Sequence, residues 1–184
     1  MKREMTIVPY DPAWKERFEA LRCRLHELLE GSEISILHFG STAIEGMWAK
    51  PIIDMMILVK DISIIDSYSA VLESQGFCPK GENGIPGRRY FKKLSPDGVN
   101  HIAHVHCYEP DHPHVQNEML FCRYLQEDPS AFERYLAIKR EAAKLYRFDP
   151  KAYSEHKAET INHLLAEAKR MQQSDSPENN SFRR

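Results

Sequence analysis

One acid constrains this chain more than any other residue. Asp54 stands inside Ile52-Ile53-Asp54-Met55-Met56-Ile57-Leu58-Val59, an apolar run opened by Pro51. The run has the length of a buried strand, and an ionised carboxylate there is costly unless a cation or hydrogen-bond donors meet it. Asp54 therefore either serves a site or is a structural acid that caps the sheet or pairs with a core cation. A period of two puts Asp54, Met56 and Leu58 on one face and Ile53, Met55, Ile57 and Val59 on the other. Upstream, Ile36-Leu37-His38-Phe39 reads as a strand that leaves through Gly40-Ser41-Thr42. Such a Gly-Ser turn can present backbone N–H groups and a hydroxyl to an anion such as a phosphate.

The flanking segments supply the frame. Asp11 and Pro12 open a helix whose Trp14, Phe18, Leu21, Leu25 and Leu28 recur at helical spacing on one apolar face. Gly31 stops it, and residues 33–39 alternate as a strand. Residues 63–75 read as one helix with Ile64, Ile65, Tyr68, Val71 and Leu72 on one face, stopped by Gly76. Residues 77–79 read as a short edge strand. Residues 81–87, with three glycines and Pro86, read as a mobile loop, suited either to closing over a ligand or to being plain surface.

A hairpin follows. Residues 88–93 and 99–108 flank Ser95-Pro96-Asp97-Gly98, a strong turn signal. The second arm carries His101, His104 and His106; with His112 and His114 beyond Pro110, five of the chain's nine histidines fall between residues 101 and 114. His104 and His106 share a face, and three roles are open to them. Two imidazoles and a carboxylate from Asp54 suit zinc, manganese or iron; the pair can hydrogen-bond a phosphate; or one histidine is a general base. Ordinary hydrogen-bonded structure is the alternative to all three.

The C-terminal half is helical, over residues 115–126, 129–145 and 150–171, with Asp128-Pro129 and Asp149-Pro150 each reading as cap plus first-turn proline. Lys139 shares a stripe with Phe132, Tyr135 and Ala142, and Lys157 with Tyr153, Ile161, Leu164 and Ala168. A lysine on an apolar face must snorkel or reach an anion. With Arg88, Arg89 and Arg123, these lysines either make separate ion pairs or form the positive wall of a phosphate pocket opposite Gly40-Ser41. Residues 172–184 are polar and aperiodic and read as a disordered tail.

A 184-residue chain can bury a sizeable core, read as a single domain over residues 1–171. A formal net charge of -2 is no footprint for duplex nucleic acid or an anionic membrane. No apolar run is long enough to span a bilayer and the N-terminus lacks a signal-peptide core, so a cytoplasmic location is expected. Cys23, Cys78, Cys107 and Cys122 show no C-x-x-C pair and are expected as free thiols. The element order gives an α+β (α/β-like) domain with a short mixed sheet and a helical C-terminal portion; oligomeric state is not legible.

His38-Phe39-Gly40-Ser41-Thr42-Ala43-Ile44-Glu45-Gly46 followed by Ala49-Lys50-Pro51-Ile52-Ile53-Asp54 closely resembles the GrpB-like (UPF0157-type) family of the nucleotidyltransferase superfamily. The N-terminal Val8-Pro9-Tyr10-Asp11-Pro12-Ala13-Trp14, the strand His104-Val105-His106 with Glu109, and the segments around Arg123, Lys139 and Tyr153-Ser154-Glu155-His156-Lys157 also resemble it, so the similarity covers residues 5–170. The resemblance implies a nucleotidyltransferase fold. It implies an enzyme or a binding module for a nucleotide or another phosphorylated small molecule. A divalent metal (magnesium, manganese or zinc) would sit on Asp54, His104 and His106, which would also be the catalytic residues. Phosphate would be held by Gly40, Ser41, Thr42, Lys50, Arg88, Arg89, Arg123, Lys139, Tyr153 and Lys157. The departure is Met56. Active nucleotidyltransferases carry their second carboxylate two residues after the first, and a thioether is a poor ligand for magnesium. That leaves a module without catalysis as the alternative to metal-dependent transfer or hydrolysis.

Overall fold

A computed structural model describes residues 6–174. They group into two compact units, one of residues 8–116 and one of residues 117–174 with the segment up to Ile7.

The first unit begins with α1 (Ala13–Leu28), where Asp11 Oδ1 accepts the Ala13 N–H at 3.0 Å and so caps the helix as its position predicts. Its apolar stripe is core: Trp14 and Leu25 are fully buried and Phe18 nearly so. A mixed five-stranded sheet follows, built from β1 (Ile34–Phe39), β2 (Ile53–Val59), β3 (Phe77–Pro79), β4 (Arg89–Leu94) and β5 (His101–Tyr108), in the spatial order β1-β2-β5-β4-β3. β2 and β5 run parallel, and every other neighbouring pair is antiparallel. The odd-numbered face of β2 and β5, with Ile53, Met55, Ile57, Val59, Ala103, Val105 and Cys107, packs with α1, Phe77 and Phe91 into one hydrocarbon core. Burying that face supplies most of the drive to fold this unit, since the gain scales with apolar area removed from water.

Two local expectations are corrected. Residues 63–75 form two short helices, α2 (Ser63–Ser67) and α3 (Ser69–Ser74), broken at Tyr68, whose hydroxyl donates to the Glu30 carbonyl at 2.9 Å. Val71, assigned to the buried face, is instead exposed. The glycine-rich loop carries hydrogen bonds of its own: Tyr90 N–H donates to Gly81 O at 2.9 Å, Gly87 N–H to Glu82 Oε1 at 2.8 Å, and Arg88 reaches two of its carbonyls.

α4 (Pro113–Glu127) leads into the second unit, which continues with α5 (Pro129–Leu145) and α6 (Pro150–Ser174). Asp128 Oδ1 accepts the Ala131 N–H at 2.9 Å and Asp149 Oδ1 the Ala152 N–H at 3.0 Å, so both predicted Asp-Pro caps form. α6 runs to Ser174 and so takes in Gln172 and Gln173, which the sequence assigns to the tail; the rest of that tail lies outside the described residues. Glu167 joins α6 to its neighbours, accepting from Arg134 and Tyr124; the Arg134 guanidinium chiefly drives its carboxyl down to about 2. Among the described residues no helix is long and apolar enough to cross a membrane.

Candidate functional site

The face of the sheet opposite the core carries the polar residues in two rows. Register places Phe39 beside Asp54, Asp54 beside His104 and His104 beside Lys92; one step along, Leu37, Met56, His106 and Tyr90 line up in the same way. The acid and both histidines thus lie on one face because the side-chain period of a strand is two and β2 and β5 are parallel neighbours.

Directly after Phe39 the chain turns at Gly40, with φ 70° and ψ -168°, a backbone conformation suited to glycine. A Cβ at Gly40 would stand 3.0 Å from Asp54 Oδ2 and 3.2 Å from Asp54 Cβ. Two constraints therefore demand glycine, the left-handed φ and the contact of bare backbone with the carboxylate side chain. Residues Ser41–Ala43 make one 3-10 turn, closed by Ala43 N–H on Gly40 O at 3.1 Å. Ser41 is half-buried, and its hydroxyl makes no hydrogen bond to the described residues.

Thr42 behaves otherwise. It is 1% exposed, and its Oγ1 meets His38 Nε2 at 2.9 Å, while the His38 ring stacks on Phe18 with centroids 4.7 Å apart. Burial pushes the His38 imidazole down to about 4, against the pull of the Asp54 carboxylate, so the ring is neutral. Thr42, expected to contact phosphate, instead pins the turn to the core through His38.

Asp54 Oδ1 lies 3.2 Å from His104 Nδ1. Because the carboxylate accepts, Nδ1 carries the proton of this hydrogen bond. His104 Nε2 is shielded from solvent and has no hydrogen-bond partner among the described residues, although the His104 side chain as a whole is 24% exposed. His106 is arranged the other way round. Its Nδ1 is 3.3 Å from Arg88 Nη1, and a guanidinium only donates, so Nδ1 accepts and Nε2 bears the proton. Burial pushes this imidazole down to about 4, with the Asp54 carboxylate opposing and Arg88 reinforcing the fall. Phe39 and Tyr90 enclose it at ring distances of 5.1 and 4.8 Å. Arg88, 5% exposed, also donates to Glu82 O and Asn83 O at 3.0 and 2.7 Å and lies 5.0 Å from the Tyr90 ring centroid. Arg88 immediately precedes β4, two residues before Tyr90 and so on the same side of the chain, but its pairing with His106 has no local signal.

The expected three-ligand metal centre is not assembled. Asp54 and His104 meet, but His106 turns Nδ1 toward a cation, and Met56, fully buried, puts a thioether where a second carboxylate would stand. Among the described residues no three His, Cys, Asp or Glu side chains gather as a metal site. The donor set does not fit a divalent ion that needs several oxygen ligands.

The basic residues separate. Arg89 lies on the opposite face of β4 from Arg88, beside Cys107, where Asp66 takes its Nε and Nη2 at 2.5 and 2.7 Å; it is a structural cation and not a phosphate ligand of the Asp54 face. Arg123 is exposed, 4.0 Å from Glu127. Lys50 is half-buried just ahead of Pro51. In the second unit Lys139, 1% exposed, sits 5.1 Å from the Tyr135 ring centroid, and Lys157 sits 4.2 Å from that of Tyr153 and 5.9 Å from that of Tyr135. Burial raises the Tyr153 phenol to about 12. These lysines are held in an aromatic cluster of α5 and α6, where cation–π attraction replaces part of their lost hydration. His112 lies tilted against Tyr108 and His114 stacks on it; His112 Nε2 meets Pro86 O at 2.9 Å. A cavity of 850 Å³ opens among Glu33, Leu58, Lys60, Glu109 and His112, past the other end of β2 from Asp54. Its size alone assigns it no chemistry.

The family described as "GrpB protein" matches residues 4–167. "UPF0157 protein YqkA" of Bacillus subtilis is 36% identical over 181 residues, which cover 98% of this chain and 52% of that protein, so the chain spans about half the length of this relative. The crystal structure of conserved protein GrpB from Enterococcus faecalis superposes with TM-score 0.84 at 30% identity, covering 91% of this chain and 99% of that one. The Cid1 poly(U) polymerase, with Mg 3'-dATP bound, superposes with TM-score 0.56 at 18% identity over 82% of this chain and 49% of its own; this likeness is one of fold, the nucleotidyltransferase fold.

Proposed function

The chain belongs to the GrpB family, and we propose that it binds a nucleotide or another phosphorylated small molecule at the Gly40–Ser41 turn beside Asp54. The observation that carries this reading is the Gly40 turn, which leaves no room for a side chain against the Asp54 carboxylate and sets the half-buried Ser41 at the next position of the chain. The fold likeness to a nucleotide-bound polymerase supports the same ligand class. A specific observation favours a second reading, a binding module without turnover: Met56 stands where the second carboxylate of two-metal transfer would be.

Thermal denaturation of the full chain tests the binding. Adenosine and uridine triphosphates and a phosphorylated sugar are each titrated with and without manganese. A ligand held at 100 times its Kd stabilises the native state by about 2.7 kcal/mol, so an upward shift is expected. Ser41→Ala should raise Kd roughly tenfold, the worth of one hydrogen bond to a charged group. No shift with any of these ligands, or equal affinity in the variant, overturns the site as described.

A further inference from the structure

We infer that the cavity beyond the carboxyl ends of β2 and β5 is a second binding site, for an amino acid with a basic side chain. It is independent of the ligand proposed at the Gly40–Ser41 turn, and its failure would leave that reading untouched. β2 ends at Val59 and β5 at Tyr108, and these two strands are the parallel pair of the sheet. Leu58 and Lys60 come to the cavity from the end of the first strand, and Glu109 and Asp111 from just past the end of the second. Ligands of open α/β sheets bind in the corresponding place, outside the carboxyl ends of parallel strands. A volume of 850 Å³ lies in the range of small-molecule sites.

The lining decides the chemistry. Ile34, Leu58 and Ile62, each half-buried, supply an apolar wall. His112 adds only ring surface, because both its nitrogens are engaged: Nε2 donates to Pro86 O at 2.9 Å and Nδ1 accepts the His114 N–H at 3.2 Å. Three carboxylates, of Glu33, Glu109 and Asp111, share the cavity with one ammonium, that of Lys60. Glu109 is held through Oε1, which accepts the Ile62 N–H at 3.2 Å. The side chains of Glu33, Lys60 and Asp111 make no hydrogen bond or ion pair with the described residues.

The cavity therefore keeps opposite charges open to a ligand, beside apolar walls that focus their field. Carboxylates outnumber the cation, which disfavours a phosphorylated molecule. A simple amine leaves Lys60 unmatched, and an amino acid with an apolar side chain leaves carboxylates unmatched. A basic amino acid answers every group: its carboxylate meets Lys60, its α-ammonium and side-chain cation meet the acids, and its methylene chain lies against Ile34, Leu58 and Ile62.

Isothermal titration calorimetry of the full chain at low salt tests the site. The probes are L-arginine, L-lysine, agmatine, which is arginine without its carboxylate, and L-leucine, which lacks the side-chain cation. Arginine or lysine should bind, with agmatine and leucine weaker by about tenfold or more, the worth of one hydrogen bond to a charged group. Glu33, Lys60 and Asp111 are exposed, so exchanging them leaves the core intact. Lys60→Gln should weaken arginine to the level of agmatine without weakening agmatine, a selectivity that a merely structural role would not produce. Glu33→Gln combined with Asp111→Asn should weaken both about tenfold or more. No heat with either basic amino acid overturns the site, as does agmatine or leucine binding as tightly as arginine. Unchanged arginine affinity in either variant places the binding elsewhere and overturns it as well.

Discussion

The two faces of β2 and β5 use the same backbone for opposite purposes. On one, Ile53, Met55, Ile57, Val105 and Cys107 are 2% exposed or less and pack into one apolar core. On the other, the same strands hold Asp54, His104 and His106, joined to Gly40 and Arg88 by contacts with little tolerance. The first face tolerates any close-packed hydrocarbon and derives its energy from area. The second tolerates few substitutions, because each polar atom there has been placed with or without a partner.

The largest effect expected from this contrast comes from moving the chemistry of one face to the other. Ile57→Asp buries an unpaired carboxylate in the core and should destabilise the protein by more than about 4 kcal/mol, measured by urea denaturation; a loss below about 1 kcal/mol would show that the faces are interchangeable.

Acid sharpens the comparison from the other side. In the unfolded chain His106 takes its proton near 6.5, but in the fold burial delays protonation to about 4. Between those values the unfolded state binds more protons, so stability falls as pH falls through that window. The loss from His106 is on the order of 2–3 kcal/mol. His106→Gln should flatten the dependence of melting temperature on pH, with His38, also pushed down to about 4, supplying what remains. An unchanged profile in that variant would place His106 in water.

The smallest effect lies at the sheet's rim. The Arg89–Asp66 pair is bidentate, but Asp66 is about half exposed. Asp66→Asn should cost no more than about 1 kcal/mol by the same urea measurement, and less in high salt.

How much of the site was legible follows from whether a residue's partner is near in sequence. Gly40, Ser41 and Asp54 announce themselves, because a Gly-Ser turn and an acid in an apolar strand are anomalies within a short window. His104 is legible as a candidate by strand period. The division of labour between His104 and His106 is not, since it depends on Arg88 arriving from the neighbouring strand. Thr42 and Arg89 looked like anion ligands for the same reason that they mislead: hydroxyls and guanidinium groups recognise His38 and Asp66 as readily as phosphate.

The sequence by itself determined the long helices, their Asp-Pro caps, the hairpin and the two-faced strands, because capping, turn chemistry and periodicity act over a few residues. It also determined that Met56 denies the site a second carboxylate. Only the tertiary structure decided which polar atoms meet: that β2 lies parallel to β5, that the Gly40 turn leaves no room for a side chain against Asp54, and that His104 faces Asp54 while His106 faces Arg88. Those outcomes depend on register between strands some fifty residues apart, Asp54 beside His104, and no local preference encodes such a pairing.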